Sequence, residues 1–335
     1  MHTMEQAAPN PQPHTDASLP LPRRTQAPQS WMVRVADAKY YWYDLLADSG
    51  EKPELRDPIG RYLRRMEFEL DATAARRHLF FAVTRPRVRF DVAGAVQWGF
   101  FSLKLSLPLL LGAERSKDSI TVELKVPFAA TLKKPTIMLT ENFISLNWGG
   151  LEEVFSVHDL LRIYGHTLRL PSKVAYVGQT RDDEGRLGQG RLPAMHRVRA
   201  QSGDGYDTLL LVVGVDVEVS CAEGDPAARL DPADPLAMDA LHGERVEMIE
   251  AALIRYFEGS NPRARAAEER QRRGARIVAV QHSNHLVQYT IDLALPDSGN
   301  YNQLCSEFVS AAARHVLSCF VADGQVQVAP MPGPA

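Results

Sequence analysis

Residues Leu209-Leu-Leu-Val-Val213 are apolar without a break, and Val215, Val217 and Val219 then alternate with polar residues. Alternation with a period of two across β-branched residues is the mark of a strand. Residues 207–219 therefore read as one long central strand, which needs neighbours to form a sheet. A second strand is read over 174–178, where Val174, Tyr176 and Val177 suit a pleated, half-buried surface. Gly178 follows, a position where backbone or ligand can come close. The strongest helix lies over 237–257, with Leu241, Val246, Ile249, Leu253 and Phe257 at helical spacing. Strands and helices in this mixture predict an α+β chain.

Taken in order, residues 1–30 are rich in Pro, Gln, Thr and Ser and read as a tail. Residues 31–150 read as a β-rich N-terminal domain of unassigned role. Strands are expected over 79–83, 88–92, 96–111 and 120–126, with a hairpin of 136–139 and 143–148 around Glu141-Asn142. The aromatic run Tyr40-Tyr-Trp-Tyr43 is either a short helix or a strand, and it packs a core. Gly149-Gly150 is the expected boundary. Ser156, with Asp159 three positions later, predicts a capped helix stopped by Gly165. A second domain is read over 151–276. Within it, 194–200 forms a short helix presenting His196. A C-terminal extension over 277–322 is read as a hairpin (277–280 with 286–293) and an amphipathic helix (302–321), before a tail over 323–335.

The formal net charge of -3 gives no overall attraction to a polyanion. One segment differs: residues 263–276 carry six arginines against two glutamates. Such a run is either a solvated helix face or a phosphate-contacting patch. Three scattered cysteines, Cys221, Cys305 and Cys319, predict neither a disulfide framework nor a zinc site, and they fit a reducing, cytoplasmic setting. No secretory leader is expected, and the most apolar run, 100–111, is interrupted by Lys104 and Pro108 and is too short for a membrane span.

Tyr176-Val177-Gly178, the arginine-rich segment after it, Glu250-Ala-Ala-Leu253-Ile254 and Asn261 occur in an order that resembles the GIY-YIG nuclease family. The likeness covers about residues 160–262. It implies a small mixed sheet flanked by helices and a magnesium- or manganese-dependent endonuclease, a hydrolase acting on DNA. On that resemblance Tyr176 is the tyrosine of the second signature, and Arg186 is the catalytic arginine, with Arg191 a close competitor. His196 approaches the phosphate, and Glu250 is the metal ligand. Arg191 and Asn261 contact nucleic acid on the same resemblance, and Arg263 and Arg265 do so if the basic run is the phosphate-contacting patch. These groups should converge on one concave face. No Gly-Ile-Tyr precedes Tyr176. Either Tyr164, in Arg162-Ile163-Tyr164, supplies the first tyrosine, or the first strand is 143–148 and that tyrosine is missing. Glu247, one turn before Glu250, is expected on the wetter side and dispensable. The alternative function is a binding or scaffold protein that keeps the fold without cleavage.

Overall fold

In the computed structural model, the structure describes residues 27–48, 57–74, 79–99, 103–127, 134–165, 167–180, 192–221, 235–259, 267–295 and 300–331. The chain begins with β1 (Gln29–Trp42), α1 (Tyr43–Asp48) and α2 (Pro58–Ala74). Next come β2 (Leu79–Pro86), β3 (Val88–Phe90), β4 (Gln97–Trp98), β5 (Lys104–Leu111) and β6 (Ser116–Glu123). β7 (Thr136–Leu139), β8 (Phe143–Asn147), β9 (Glu152–Ser156) and α3 (Val157–Tyr164) follow. β10 (Ser172–Gln179), α4 (Pro193–Ser202), β11 (Tyr206–Cys221), α5 (Pro235–Phe257) and α6 (Ala267–Asn284) form the middle. The chain ends with β12 (Leu286–Ala294), β13 (Leu304–Cys305), β14 (Arg314–Ala322) and β15 (Gln325–Met331).

The central strand expected from the apolar run is β11. It sits inside an eight-stranded mixed sheet of order β13-β10-β2-β11-β1-β12-β14-β15. Both faces of its first half are covered, which is why the run is unbroken there. Leu209, Leu211 and Val213 pack on one face with Leu79, Phe81 and Val83 of β2 and with Ile249, Leu253 and Phe257 of α5. Leu210 and Val212 pack on the other face with Phe80, Ala82, Tyr41, Leu70 of α2 and Met195 of α4. The C-terminal half of β11 has only one covered face, and its burial alternates accordingly.

β1 and β2 pair with β11 on its two sides, and β10 pairs with β2. The sheet thus crosses the boundary expected at Gly149-Gly150. Those two glycines instead make the β8–β9 turn, where both have positive φ. The remaining strands of 88–156 form two smaller sheets, β3 to β6 and β7 to β9, which with α3 enclose a separate apolar cluster around Phe90, Leu107, Ile144 and Leu160. The capping box read at Ser156 is present, with Ser156 N donating to Asp159 Oδ2 at 2.9 Å and Asp159 N to Ser156 Oγ at 3.2 Å. The aromatic run divides between both expectations, strand to Trp42 and helix from Tyr43, and Tyr41, Trp42 and Tyr43 are buried.

Two expectations are corrected, and one helix is added. Residues 277–280 do not begin a hairpin. They continue α6, where Ile277 and Val280 are buried three positions apart on one helical face. Residues 302–321 are not a helix: His315, Leu317 and Cys319 of β14 point inward with a period of two. Helix α2 was not anticipated, although Asp57-Pro58 announces it. Asp57 accepts hydrogen bonds from the backbone N–H groups of Ile59 and Gly60, and proline stands at the first helical position.

Candidate functional site

β10 is close to the edge of the large sheet. Its neighbour β13 pairs only with Ser172 and Lys173, so among the described residues Tyr176 to Gln179 have no strand on their outer side. Glu258, just past α5, takes the place of a strand there and accepts from Val177 N at 2.9 Å. A β-bulge between Val174 and Tyr176 shifts the register against β2. Bulges re-aim side chains, and this one turns Tyr176 to the α4 face, opposite Val174 and Val177.

Tyr176 stacks there on Phe80 of β2, with ring centroids 5.8 Å apart and planes at 28°. Gly178 lies under the pair. A Cβ at that position would meet the Phe80 ring at 2.6 Å and the Tyr176 ring at 2.9 Å. The glycine is therefore required by close approach of the two rings. Gly178→Ala should lower stability by about 1–3 kcal/mol through overpacking. A urea midpoint unchanged from the parent would contradict this.

A cavity of about 650 Å³ wraps the free edge of β10. Its walls include Phe80, Tyr176, Gly178 and Gln179 from the sheet, Arg197 from α4, Glu247 and Glu250 from α5, and Arg272, Arg273 and Arg276 from α6. Four guanidinium groups thus stand against two carboxylates. Glu250 is 7% exposed. Its Oε2 accepts from Gln179 Nε2 at 2.8 Å, and its Oε1 pairs with Arg273 at 3.3 Å. Glu247 Oε1 lies 3.5 Å from Arg276.

Tyr176 and Glu250 both line this cavity, but they approach it from opposite faces of the sheet and meet only around its edge, so the single concave face expected from the sequence is not formed. The other expected residues are not brought there. Tyr164 belongs to α3, packs against the second apolar cluster and donates to Glu123 O at 2.7 Å. His196 is exposed on α4, edge-on to Tyr43 at 5.8 Å, and lines a different cavity. Arg186, Arg191, Asn261, Arg263 and Arg265 lie outside the described residues. Glu247 is wetter than Glu250, as expected, but it faces the same cavity and is not an inert neighbour.

The site residues missed in the sequence are Phe80, Arg197, Arg272, Arg273 and Arg276. The last three belong to the basic run noted over 263–276. Phe80 carries no local signal, because its partner Gly178 comes from a strand formed much later in the chain.

Magnesium is commonly held by one or two protein carboxylates together with substrate phosphates. Glu250 and Glu247, one turn apart and facing one cavity, fit that limited donor set. A full protein cage is absent: no group of three or more His, Cys, Asp or Glu suited to a metal occurs among the described residues. Nor, among these residues, is any helix long and apolar enough to cross a membrane. No family model, no curated protein and no solved structure matches the chain.

Proposed function

We propose that the chain is a metal-dependent endonuclease of the GIY-YIG type acting on DNA, and that it works in the cavity around the β10 edge. The observation that carries this reading is the meeting of Tyr176 and Glu250 in one arginine-walled cavity. Arg197, Arg272 and Arg276 hold phosphate oxygens, since a guanidinium matches phosphate with paired N–H donors. Tyr176, its ring fixed by Phe80 and Gly178, orients the attacking water. Glu250, with Glu247 beside it, would hold a magnesium or manganese ion, whose contribution when bound is to stabilise negative charge developing on the phosphate. Arg273 compensates the Glu250 carboxylate in the free protein.

A second reading, binding without cleavage, is favoured by one observation. The aromatic ring facing Tyr176 belongs to Phe80, which has no hydroxyl, and Tyr164 does not reach the cavity. Both readings place the phosphate chain on the arginines. Replacing Arg197, Arg272 or Arg276 by Ala should each weaken DNA binding and reduce the slope of log affinity against log salt by about one. Fluorescence anisotropy on a short labelled duplex across a salt series measures this. Affinity indifferent to salt and to all three substitutions would remove both readings. Cleavage separates them: only the first expects nicked product.

A further inference from the structure

A second cavity, of about 490 Å³, lies between α1, α4 and the turn that joins β2 to β3. It is not the one around the β10 edge, and the two have no lining residue in common. Arg87, Thr208 and His196 line it.

Arg87 stands at a rigid point of the chain. Its N–H donates to Gly205 O at 2.8 Å, and its carbonyl accepts from Gly112 N at 2.7 Å. The backbone thus fixes where its side chain starts. Its Nε is buried and has no hydrogen-bond partner among the described residues. Thr208 is 1% exposed, and its Oγ1 also lacks a partner. Two residues that line one cavity thus each bury a polar atom with no partner among the described residues, which is costly unless something else satisfies it.

The acidic groups nearby do not fill that need. Asp44 and Asp48 are taken by Arg199, at 3.1 and 2.6 Å. Asp44 Oδ2 also accepts from Thr208 N at 2.8 Å. Asp204 is exposed, and Arg89 is occupied by Asp207. What is left open is one guanidinium, one buried hydroxyl and one exposed imidazole. That set complements an anion bearing several acceptor oxygens.

We propose that this cavity is a phosphate-binding site, in which Arg87 holds a phosphate or phosphate-monoester group, Thr208 Oγ1 donates to one of its oxygens, and His196 stands at the rim. The group comes either from a free phosphorylated compound or from the terminal phosphate of a nucleic-acid strand. Inorganic phosphate is the probe common to both.

The test uses the full chain carrying Arg272→Ala and Arg276→Ala, so that the first cavity contributes little. Calorimetric titration of inorganic phosphate should show saturable binding. Adding Arg87→Gln should weaken it about tenfold or more, the scale of a hydrogen bond to a charged group. If Arg87→Gln does not fold, Thr208→Val carries the test, because it replaces the hydroxyl with a methyl of the same shape; weakening of about threefold is expected. The absence of saturable binding at about 10 mM phosphate, or affinity unchanged in the folded variants, overturns the proposal. Competition by a 5′-phosphorylated oligonucleotide but not its 5′-hydroxyl form identifies a strand terminus as the source. Phosphate binding untouched by either oligonucleotide identifies a free phosphorylated compound. None of these outcomes depends on cleavage at the β10 edge.

Discussion

Glu250→Gln should abolish plasmid cleavage, by about 100-fold or more, and remove magnesium binding with it. The amide keeps the size of the carboxylate but is a poor ligand for a hard cation. The fold should survive. Gln179 and Arg273 are both donors to Glu250, and one amide oxygen can still accept from one of them. The Arg273 side chain is 22% exposed, although its Nη1 is buried and makes no hydrogen bond among the described residues. The pair is largely buried, so the cost should be about 1–3 kcal/mol, which the fold can bear. Stabilisation is not expected, because Arg273 already compensates the charge. Glu247 faces the same cavity and cannot serve as a control. Glu218, at the far end of β11 and paired with Arg34, can, and Glu218→Gln should leave every readout unchanged. Magnesium calorimetry, urea unfolding and plasmid cleavage on the same preparations check all three statements. Cleavage by Glu250→Gln at the parent's rate in saturating magnesium would show that Glu250 holds no catalytic ion.

Asp207→Ala should cost about 3–5 kcal/mol of stability, at a position that is not part of the cavity at the β10 edge. Asp207 is fully buried at the start of β11. Its carboxylate accepts from Arg89 at 2.8 Å, from the backbone N–H of Val88 at 2.9 Å, and faces His158 Nε2 at 3.0 Å. His158 Nδ1 in turn meets the Tyr301 hydroxyl at 3.2 Å. One carboxylate thus ties the large sheet to β3 and α3. Removing it leaves a guanidinium and an N–H buried without their acceptor. Burial alone would raise the Asp207 carboxyl, but the hydrogen bond from His158, the charges of His158 and Arg89, and the Val88 N–H reverse that and hold it below the usual range. The unfolded chain then takes up this proton first as pH falls. The stability Asp207 contributes is present above pH of about 4 and is lost below it. Urea unfolding of parent and variant at neutral pH and again near pH 3 measures both effects. Equal stability at neutral pH would contradict the assignment.

What could be read in the sequence was local. The period of two in β11, the helical spacing of α5 and the Ser156-Asp159 cap each lie within a short window, and each is present in the fold. Tyr176 and Glu250 were legible for the same reason, as features of one strand and one helix. The rest depended on pairings between distant segments. β2 lies beside β10 although β3 to β9 and α3 come between them in sequence, so nothing near Phe80 indicates that it will stack on Tyr176. The bulge that turns Tyr176 over is likewise invisible in Val174-Ala175-Tyr176. Asp207 opens an apolar strand, and its partners are 49 and 118 positions away. In the C-terminal region, apolar residues at mixed spacings suit both a helix and a strand. Pairing with β12 and β15 decides for the strand.

The most direct measurement is incubation of the purified full chain with supercoiled plasmid, with magnesium or manganese and with chelator, followed on a gel. The arginine-walled cavity bearing Tyr176 and Glu250 predicts nicked and then linear plasmid with either metal and none with chelator. Plasmid that stays supercoiled at every protein concentration with both metals would contradict the nuclease.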